Sequence, residues 1–162
     1  MAARPVSASS CVALTLPRAY RSNSPTADES ALGVGKALAI LRDDVIHTGH
    51  PLIPEVPIGT IDPEWMPVVA RRGLVVVCRD AKIRRKLGER ALFFAEGLRA
   101  FWIGGDKDMS NWDNMIRLIR RWDDMEQVMH DRPIGPWFYQ VNAAGLSELP
   151  VTPPVAGDTL GL

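Results

Sequence analysis

The chain has 162 residues, of which 46% are apolar and 23% charged, and its 19 Lys and Arg equal its 19 Asp and Glu. This length and composition suit one globular domain and exclude a membrane helix, because no stretch approaches the ~18 consecutive apolar residues that such a helix needs. Two cysteines exclude a disulfide framework, so we expect a cytoplasmic protein.

The neutral total conceals an uneven distribution of charge. Residues 71–90 carry eight basic and two acidic side chains, whereas the segments on both sides of this block are net acidic. A basic block suits a polyanion, because each Lys or Arg that binds a phosphate releases counterions. A solvated helix face is the competing interpretation.

The N-terminal part of the chain predicts an extension, a helix and a short strand. Residues 1–25 contain three prolines and five serines, so we expect a disordered extension. Apolar residues recur at helical spacing from 31 to 41, and residues 45–47 are a strand candidate. Residues 48–60 are rich in proline and glycine and are predicted to be a loop.

The central part predicts a helix followed by a buried strand. The helix is expected to begin at about Pro63 or Trp65 and to stop at Gly73. A start at Glu64 or later would put Pro67 in the first turn, where a proline is tolerated. The β-branched run Leu74–Cys78 is typical of a strand that is buried on both faces of a parallel sheet.

The C-terminal part continues the alternation of helix and strand. A helix is predicted after Asp80, and residues 98–103 form a strand candidate. Ser110 opens a helix that ends before Pro133, and residues 137–141 predict a last strand. Strands that alternate with helices predict parallel β-α-β units, so we expect an α/β fold with a mostly parallel sheet and helices on both faces.

Three carboxylates are candidates for one site at the carboxyl edge of this sheet, where open α/β sheets bind their ligands. Asp80 follows the strand that ends at Cys78. The three carboxylates would converge if Asp28 also follows a strand and Asp62 or Glu64 begins a helix at the same edge. Carboxylates that share a cleft repel one another unless a cation is bound, and hard oxygen ligands favour Mg²⁺ or Mn²⁺. Such an ion can activate water for attack on a phosphodiester.

Helix capping is the alternative explanation for two of these carboxylates. Asp62 precedes Pro63 in the arrangement of an N-cap followed by proline at the first helical position. Asp80 would likewise cap the helix that follows it. The pair His47 and His50 lies in a predicted loop without a third ligand, so we interpret it as loop residues.

The order and spacing of these motifs resemble those of PIN-like domains. The run from Asp62 to Trp65, then Gly73, then the apolar strand closed by Arg79-Asp80 resembles the second half of such a domain. Asp28-Glu29-Ser30 matches the first acidic motif of the family.

The later segments Phe101-Trp102-Ile103 and Ile119-Arg120-Arg121-Trp122 resemble the variant of the family that has an extended C-terminal helix. The resemblance covers about residues 26–142. It implies a three-layer PIN-like domain at residues 26–145, followed by a flexible tail at 146–162.

The resemblance also implies an activity and its ligands. It implies a metal-dependent endoribonuclease that cuts single-stranded RNA, of the VapC type found as the toxin of toxin–antitoxin modules and restrained by an antitoxin. A homodimer is a further expectation. The Mg²⁺ or Mn²⁺ ligands would be Asp28, Asp62 and Asp80, with Glu64 as a fourth ligand or water-orienting group and Glu29 in reserve. The residues expected to contact RNA phosphates are Arg79, Lys82, Arg84 and Arg85.

Two departures from the family pattern favour an alternative. The strand expected directly before Asp28 is replaced by a polar segment containing Pro25, and Cys11–Leu16 is the run that could take its place. The fourth acidic position holds Ile83, with Asp106 or Asp108 as replacements. The alternative is a catalytically impaired PIN-like module that binds RNA or protein, and a third interpretation is a structural domain whose carboxylates are caps.

Overall fold

A computed structural model of the chain describes residues 11–14, 31–79, 87–105, 109–151 and 153. In these residues six strands form one sheet that carries five helices. The strands are β1 (Cys11–Leu14), β2 (Val45–Ile46), β3 (Val75–Cys78), β4 (Arg99–Ile103), β5 (Trp137–Val141) and β6 (Leu146–Leu149). The helices are α1 (Leu32–Leu41), α2 (Asp62–Arg71), α3 (Leu87–Ala95), α4 (Asn111–Arg120) and α5 (Trp122–Asp131).

The strand order is β2-β1-β3-β4-β5-β6. β3, β4 and β5 pair in parallel, β1 is antiparallel to both β2 and β3, and β6 is antiparallel to β5. Four strands, β2 to β5, therefore point in one direction, which confirms the expected α/β fold with a mostly parallel sheet.

The sheet separates two apolar cores. One core joins it to α2, α3 and the loop after β2, and the other joins it to α1, α4 and α5. Successive β3 residues alternate between the two cores, and all four are at most 1% exposed. This alternation follows from the two-residue period of a strand, and it confirms that β3 is buried on both faces.

The N-terminal strand corrects the expectation that residues 1–25 form a disordered extension. Cys11–Leu14 lies inside the sheet, where it pairs with Val75–Cys78 on one side and with Val45–Ile46 on the other. This strand lies within Cys11–Leu16, the run that could replace the missing strand of the family pattern, and its pairing partners come much later in the chain. The rest of the segment lies outside the described residues.

The C-terminal strand corrects the flexible tail expected at residues 146–162. Leu146–Leu149 pairs with β5 after a turn in which the Asn142 N–H donates to the Gly145 carbonyl at 2.9 Å. Leu149 and Val151 also pack against the core below α2 and α3. Residues 146–149 therefore belong to the sheet.

Two helices differ from their predicted bounds. α2 begins at Asp62, so Pro67 lies in its second turn. Pro67 has no N–H to donate to the carbonyl of Pro63, but Pro63 is exposed, so water can solvate that carbonyl. The single helix predicted after Ser110 is divided at Arg121 into α4 and α5. Ser110 caps α4 as expected, because its Oγ accepts from the Asp113 N–H at 3.1 Å.

Ile119, next to the buried Leu118 on α4, is 55% exposed. None of the helices in the described ranges is long and apolar enough to cross a membrane.

Candidate functional site

The turn between α2 and β3 determines where Asp62 lies. Gly73 adopts φ 64°, its N–H donates to the Ala70 carbonyl at 2.9 Å, and the Leu74 N–H donates to the Val69 carbonyl at 3.1 Å. This is a Schellman turn, which requires the left-handed conformation that glycine adopts without strain. The turn reverses the chain, so α2 runs back along β3 and begins near the edge at which β3 ends.

Asp62 is a buried carboxylate at this edge. It is 3% exposed, and its Oδ1 accepts a hydrogen bond from the indole Nε1 of Trp65 at 2.9 Å. The N-cap of α2 is Ile61, whose carbonyl accepts from the N–H groups of Glu64 and Trp65 at 3.0 and 3.2 Å. No side chain caps α2, so the capping explanation for Asp62 is wrong.

The surroundings of Asp62 fit a metal ligand. Among the residues that the structure describes, no Lys, Arg or His forms an ion pair with Asp62. A buried carboxylate without a cation loses the solvation it has in water, and a neutral indole donor only partly replaces it. A divalent cation bound to the second carboxylate oxygen would compensate for this loss.

The end of β3 is fixed just before Asp80. Arg79 is partly buried, and its carbonyl accepts a hydrogen bond from the indole Nε1 of Trp102 on β4 at 2.5 Å. This bond holds the chain at the point where the predicted ligand follows.

Most of the predicted site lies outside the described residues. This applies to Asp28, Glu29, Asp80, Lys82, Arg84 and Arg85, and to the replacement candidates Asp106 and Asp108. Convergence of the three predicted ligands therefore stays a prediction. Within the described ranges, no three His, Cys, Asp or Glu side chains lie close enough together to hold a metal ion.

Glu64 does not lie beside Asp62. It is exposed, whereas Asp62 is buried, and residues two positions apart on a helix face different directions. The structure thus does not bring these two carboxylates together on one face of α2.

The end of β4 is closely packed because it is built of glycine. A Cβ on Gly104 would lie 2.3 Å from Gln140 Nε2 and 2.9 Å from Asn142 Oδ1, and Gly105 adopts φ 136°. The Arg117 guanidinium of α4 donates to the Gly104 carbonyl. β4, β5 and α4 therefore meet tightly at the same edge as Asp62.

Asn114 is a polar residue that the motifs did not indicate. It is 1% exposed, its Oδ1 has no hydrogen-bond partner among the described residues, and its Nδ2 lies 3.4 Å from the Met109 carbonyl oxygen. It belongs to the start of α4, across the sheet from α2. An amide four positions before the core residue Leu118 interrupts an apolar stripe, and this interruption was the signal that sequence reasoning missed. An orphaned amide oxygen is a second hard donor suited to a cation or an ordered water.

The histidine pair behaves as a pair of loop residues. The rings of His47 and His50 pack edge to face with centroids 5.2 Å apart, and His50 Nδ1 accepts from the Leu52 N–H at 3.2 Å. Burial, together with the nearby charge of His47, lowers the pKa of His50.

The structure is a three-layer α/β fold with a buried carboxylate at the carboxyl edge of its sheet. The chain belongs to the PIN-like domain family, since residues 26–105, about half of its length, match the family model described as a PIN like domain. The match contains all three predicted metal ligands, whereas β1 precedes it and α4, α5, β5 and β6 follow it. No curated protein and no solved structure gives a significant match.

Proposed function

We propose that the protein is a metal-dependent endoribonuclease that cuts single-stranded RNA. The observation that carries this proposal is the Asp62 carboxylate, which is 3% exposed, has no cationic partner in the described part of the chain, and begins α2 at the carboxyl edge. Structural carboxylates usually cap a helix or pair with a cation, and Asp62 does neither.

We assign the Mg²⁺ or Mn²⁺ ion to Asp28, Asp62 and Asp80. The ion, when bound, would supply activation of a water molecule and stabilisation of the charge that develops on the phosphate. The rest of the protein positions the carboxylate ligands. The Trp65 indole orients Asp62, and the bond from Trp102 to the Arg79 carbonyl orients the chain that leads to Asp80.

Glu64 fits an outer position in this site. Its exposure leaves it able to orient water from the solvent side, rather than to share a buried ion with Asp62. Arg79, Lys82, Arg84 and Arg85 are assigned to RNA phosphates, on the support of the eight basic and two acidic side chains of residues 71–90.

The finer assignment is a VapC-type toxin that acts in the cytoplasm and is restrained by an antitoxin. Its support is the motif order, together with the free and buried thiol of Cys78, which is typical of a reducing compartment.

One observation favours a second candidate, a PIN-like module that binds RNA without cutting it. β1 is antiparallel to β3, so it ends with Leu14 opposite Val75, at the amino edge of the sheet. A strand in this direction does not deliver the following residues straight to the carboxyl edge, where Asp28 would have to lie.

The test is cleavage of a labelled single-stranded RNA by the purified protein with Mn²⁺ or Mg²⁺. We expect EDTA to abolish cleavage, and Asp62→Asn and Asp80→Asn to lower it at least 100-fold, the scale of a lost catalytic group. Asp123→Asn is the matched control, because Asp123 is an exposed carboxylate on α5. Cleavage that survives EDTA or Asp62→Asn would disprove the mechanism, and RNA binding without cleavage would support the second candidate.

The toxin assignment has its own readout. Expression of the wild type should arrest bacterial growth, whereas expression of Asp62→Asn should not. Normal growth despite cleavage in vitro would reject the toxin and leave the ribonuclease.

A further inference from the structure

Four of the five tryptophans are buried or half-buried and use their indole N–H in a hydrogen bond. They are Trp65 to Asp62 Oδ1, Trp102 to the Arg79 carbonyl, Trp122 to Glu126 Oε1, and Trp137 to the Arg132 carbonyl. Trp112 differs from all of them. It is 71% exposed, and its N–H has no partner in the described part of the chain. The Trp112 indole is therefore available for a contact outside the fold.

Trp112 lies at the carboxyl edge of the sheet. It belongs to the first turn of α4, which follows β4 after Gly104-Gly105. Helical side chains lean toward the N-terminus of their helix, so the ring leans toward that edge. Asn114, two positions later, is buried on the other side of the helix.

The turn that carries Trp112 is well fixed. The Asp113 N–H donates to Ser110 Oγ at 3.1 Å, and Ser110 Oγ donates in turn to Asp113 Oδ2 at 2.6 Å. Trp112 therefore lies on a helical turn that is fixed by hydrogen bonds, and one oxygen of the Asp113 carboxylate is hydrogen-bonded to Ser110.

The helix below Trp112 is cationic. Arg117, five positions further along α4, is held at the edge by its bond to the Gly104 carbonyl. Arg120 is exposed, and it forms no ion pair within the described ranges. Two cations therefore outnumber Asp113, the single carboxylate of α4, which favours an anionic ligand along this helix.

We propose that Trp112 is a stacking platform for a base of single-stranded RNA, whose phosphates extend along α4 toward Arg117 and Arg120. An exposed aromatic ring on an element that also carries cations is an arrangement by which proteins hold single strands, since every base has a face that can stack. The inference rests on the proposed ribonuclease function and adds a substrate-binding residue that lies outside the matched residues 26–105.

A protein partner is the competing occupant. Ile119 lies seven positions after Trp112, on the same side of α4, and is 55% exposed. A helix or a second copy of the chain that covered this face would use both residues, whereas a stacked base would use Trp112 alone. Ile119→Ala is therefore the matched control.

The test measures the binding of a fluorescein-labelled 12-nucleotide single-stranded RNA by anisotropy. The protein is the full chain carrying Asp62→Asn, with EDTA present so that nothing is cut. We expect Trp112→Ala to raise Kd about 5- to 150-fold, the range for a lost base–aromatic stack. Trp112→Phe should retain most of the affinity, Ile119→Ala should change it less than twofold, and binding of the matching duplex should not respond to Trp112→Ala.

Intrinsic fluorescence gives an independent readout, because Trp112 is the one tryptophan with more than half of its surface exposed. Iodide should quench it in the free protein, the single-stranded RNA should protect it, and Trp112→Phe should remove both effects. Because the ring is exposed, the variants should melt like the parent, so weaker binding will not reflect unfolding.

Two results would overturn the proposal. If the Trp112→Ala variant binds single-stranded RNA as tightly as the parent, base stacking on Trp112 is rejected. Cleavage of RNA by the wild type would still support the proposed ribonuclease function. Unchanged RNA binding together with loss of a dimer in both Trp112→Ala and Ile119→Ala would assign the surface to a second copy of the chain. If the wild type neither binds nor cuts RNA, it is the proposed function that fails.

Discussion

At the scale of single residues, the Asp62–Trp65 pair separates a structural role from a chemical one. The Trp65 indole needs an acceptor, and either a carboxylate or an amide oxygen can provide it at 2.9 Å. The negative charge of Asp62 is not needed for that bond. A side chain that keeps the acceptor but loses the charge therefore distinguishes folding from metal binding.

We predict that Asp62→Asn changes the free energy of unfolding by less than about 1 kcal/mol, because the amide oxygen still accepts from Trp65. Asp62→Ala leaves a buried indole N–H without a partner and should cost about 1–3 kcal/mol. Urea denaturation in EDTA measures both values.

Repeating the titration with Mn²⁺ should raise the urea midpoint of the wild type but not that of Asp62→Asn, because a ligand stabilises only a protein that binds it. An equal rise in both proteins would contradict Asp62 as a ligand.

His50 predicts a pH dependence of stability. Burial and the charge of His47 lower the pKa of His50 from its ordinary 6.5, so the unfolded chain binds this proton more readily than the folded protein does. The resulting stability is present above pH 6.5 and is lost as the pH falls through the lowered value.

We therefore expect the urea midpoint to fall between pH 7.5 and 5.5, and His50→Gln to reduce that fall. His130→Gln, an exposed residue in the last turn of α5, is the control. Equal slopes in the wild type and His50→Gln would show that His50 does not contribute.

At the scale of secondary-structure elements, what the sequence predicted depended on whether an element is determined locally. β3 was predicted because a β-branched run of five apolar residues favours a buried strand, and α2 because a proline lies near its start and Gly73 follows its end. β1 was predicted only as a replacement strand within Cys11–Leu16, and β6 was missed, because both are recognised by a pairing partner rather than by their own sequence pattern. The division of α4 from α5 was missed because the apolar spacing continues across Arg121.

The same reasoning explains which parts of the candidate site were predicted. Asp62 was predicted because a helix that precedes a parallel strand must begin at the carboxyl edge. Its hydrogen bond to Trp65 could not be read from spacing, and neither could the burial of Asn114 or the exposure of Trp112. These properties depend on which helix faces the sheet, and on the rotation about its axis.

The edge strand β6 gives the prediction at this scale. A chain that ends at Gly145 loses the pairing of Leu146–Leu149 with β5, together with the contacts of Leu149 and Val151 with the core. It should melt at a lower temperature than the full chain and should aggregate, because an exposed β5 edge invites pairing between molecules. A chain that ends at Pro153 should melt like the full chain, and equal melting of both truncations would contradict the role of β6.

At the scale of the whole molecule, the two edges of the sheet have different characters. At the amino edge, Arg99 is buried, and burial lowers its pKa. Its guanidinium donates to the carbonyls of Pro133, at 2.9 Å, and of Gly73. This fork ties the turn before β3 to the segment before β5. The carboxyl edge instead collects the buried Asp62 carboxylate, the Asn114 Oδ1 that has no partner in the described residues, and the exposed ring of Trp112.

The position of β1 gives the prediction for the whole molecule. A chain that begins at Thr26, where the family match begins, lacks the strand between β2 and β3. Because β3 would lose one of its two neighbours, we expect a lower midpoint and a less cooperative transition in urea. A chain that begins at Ser10 retains β1 and should keep the midpoint of the full chain. Equal transitions for both truncations would show that β1 does not stabilise the sheet.

The interior position of β1 also affects how the protein is made. During translation Cys11 is synthesised more than sixty residues before Cys78, its pairing partner in β3. Until then β1 can pair only with β2, through two residue pairs, and a two-stranded ribbon of that size is marginally stable in water. The central pairing of the sheet, β1 with β3, therefore cannot form before the chain has been translated through β3.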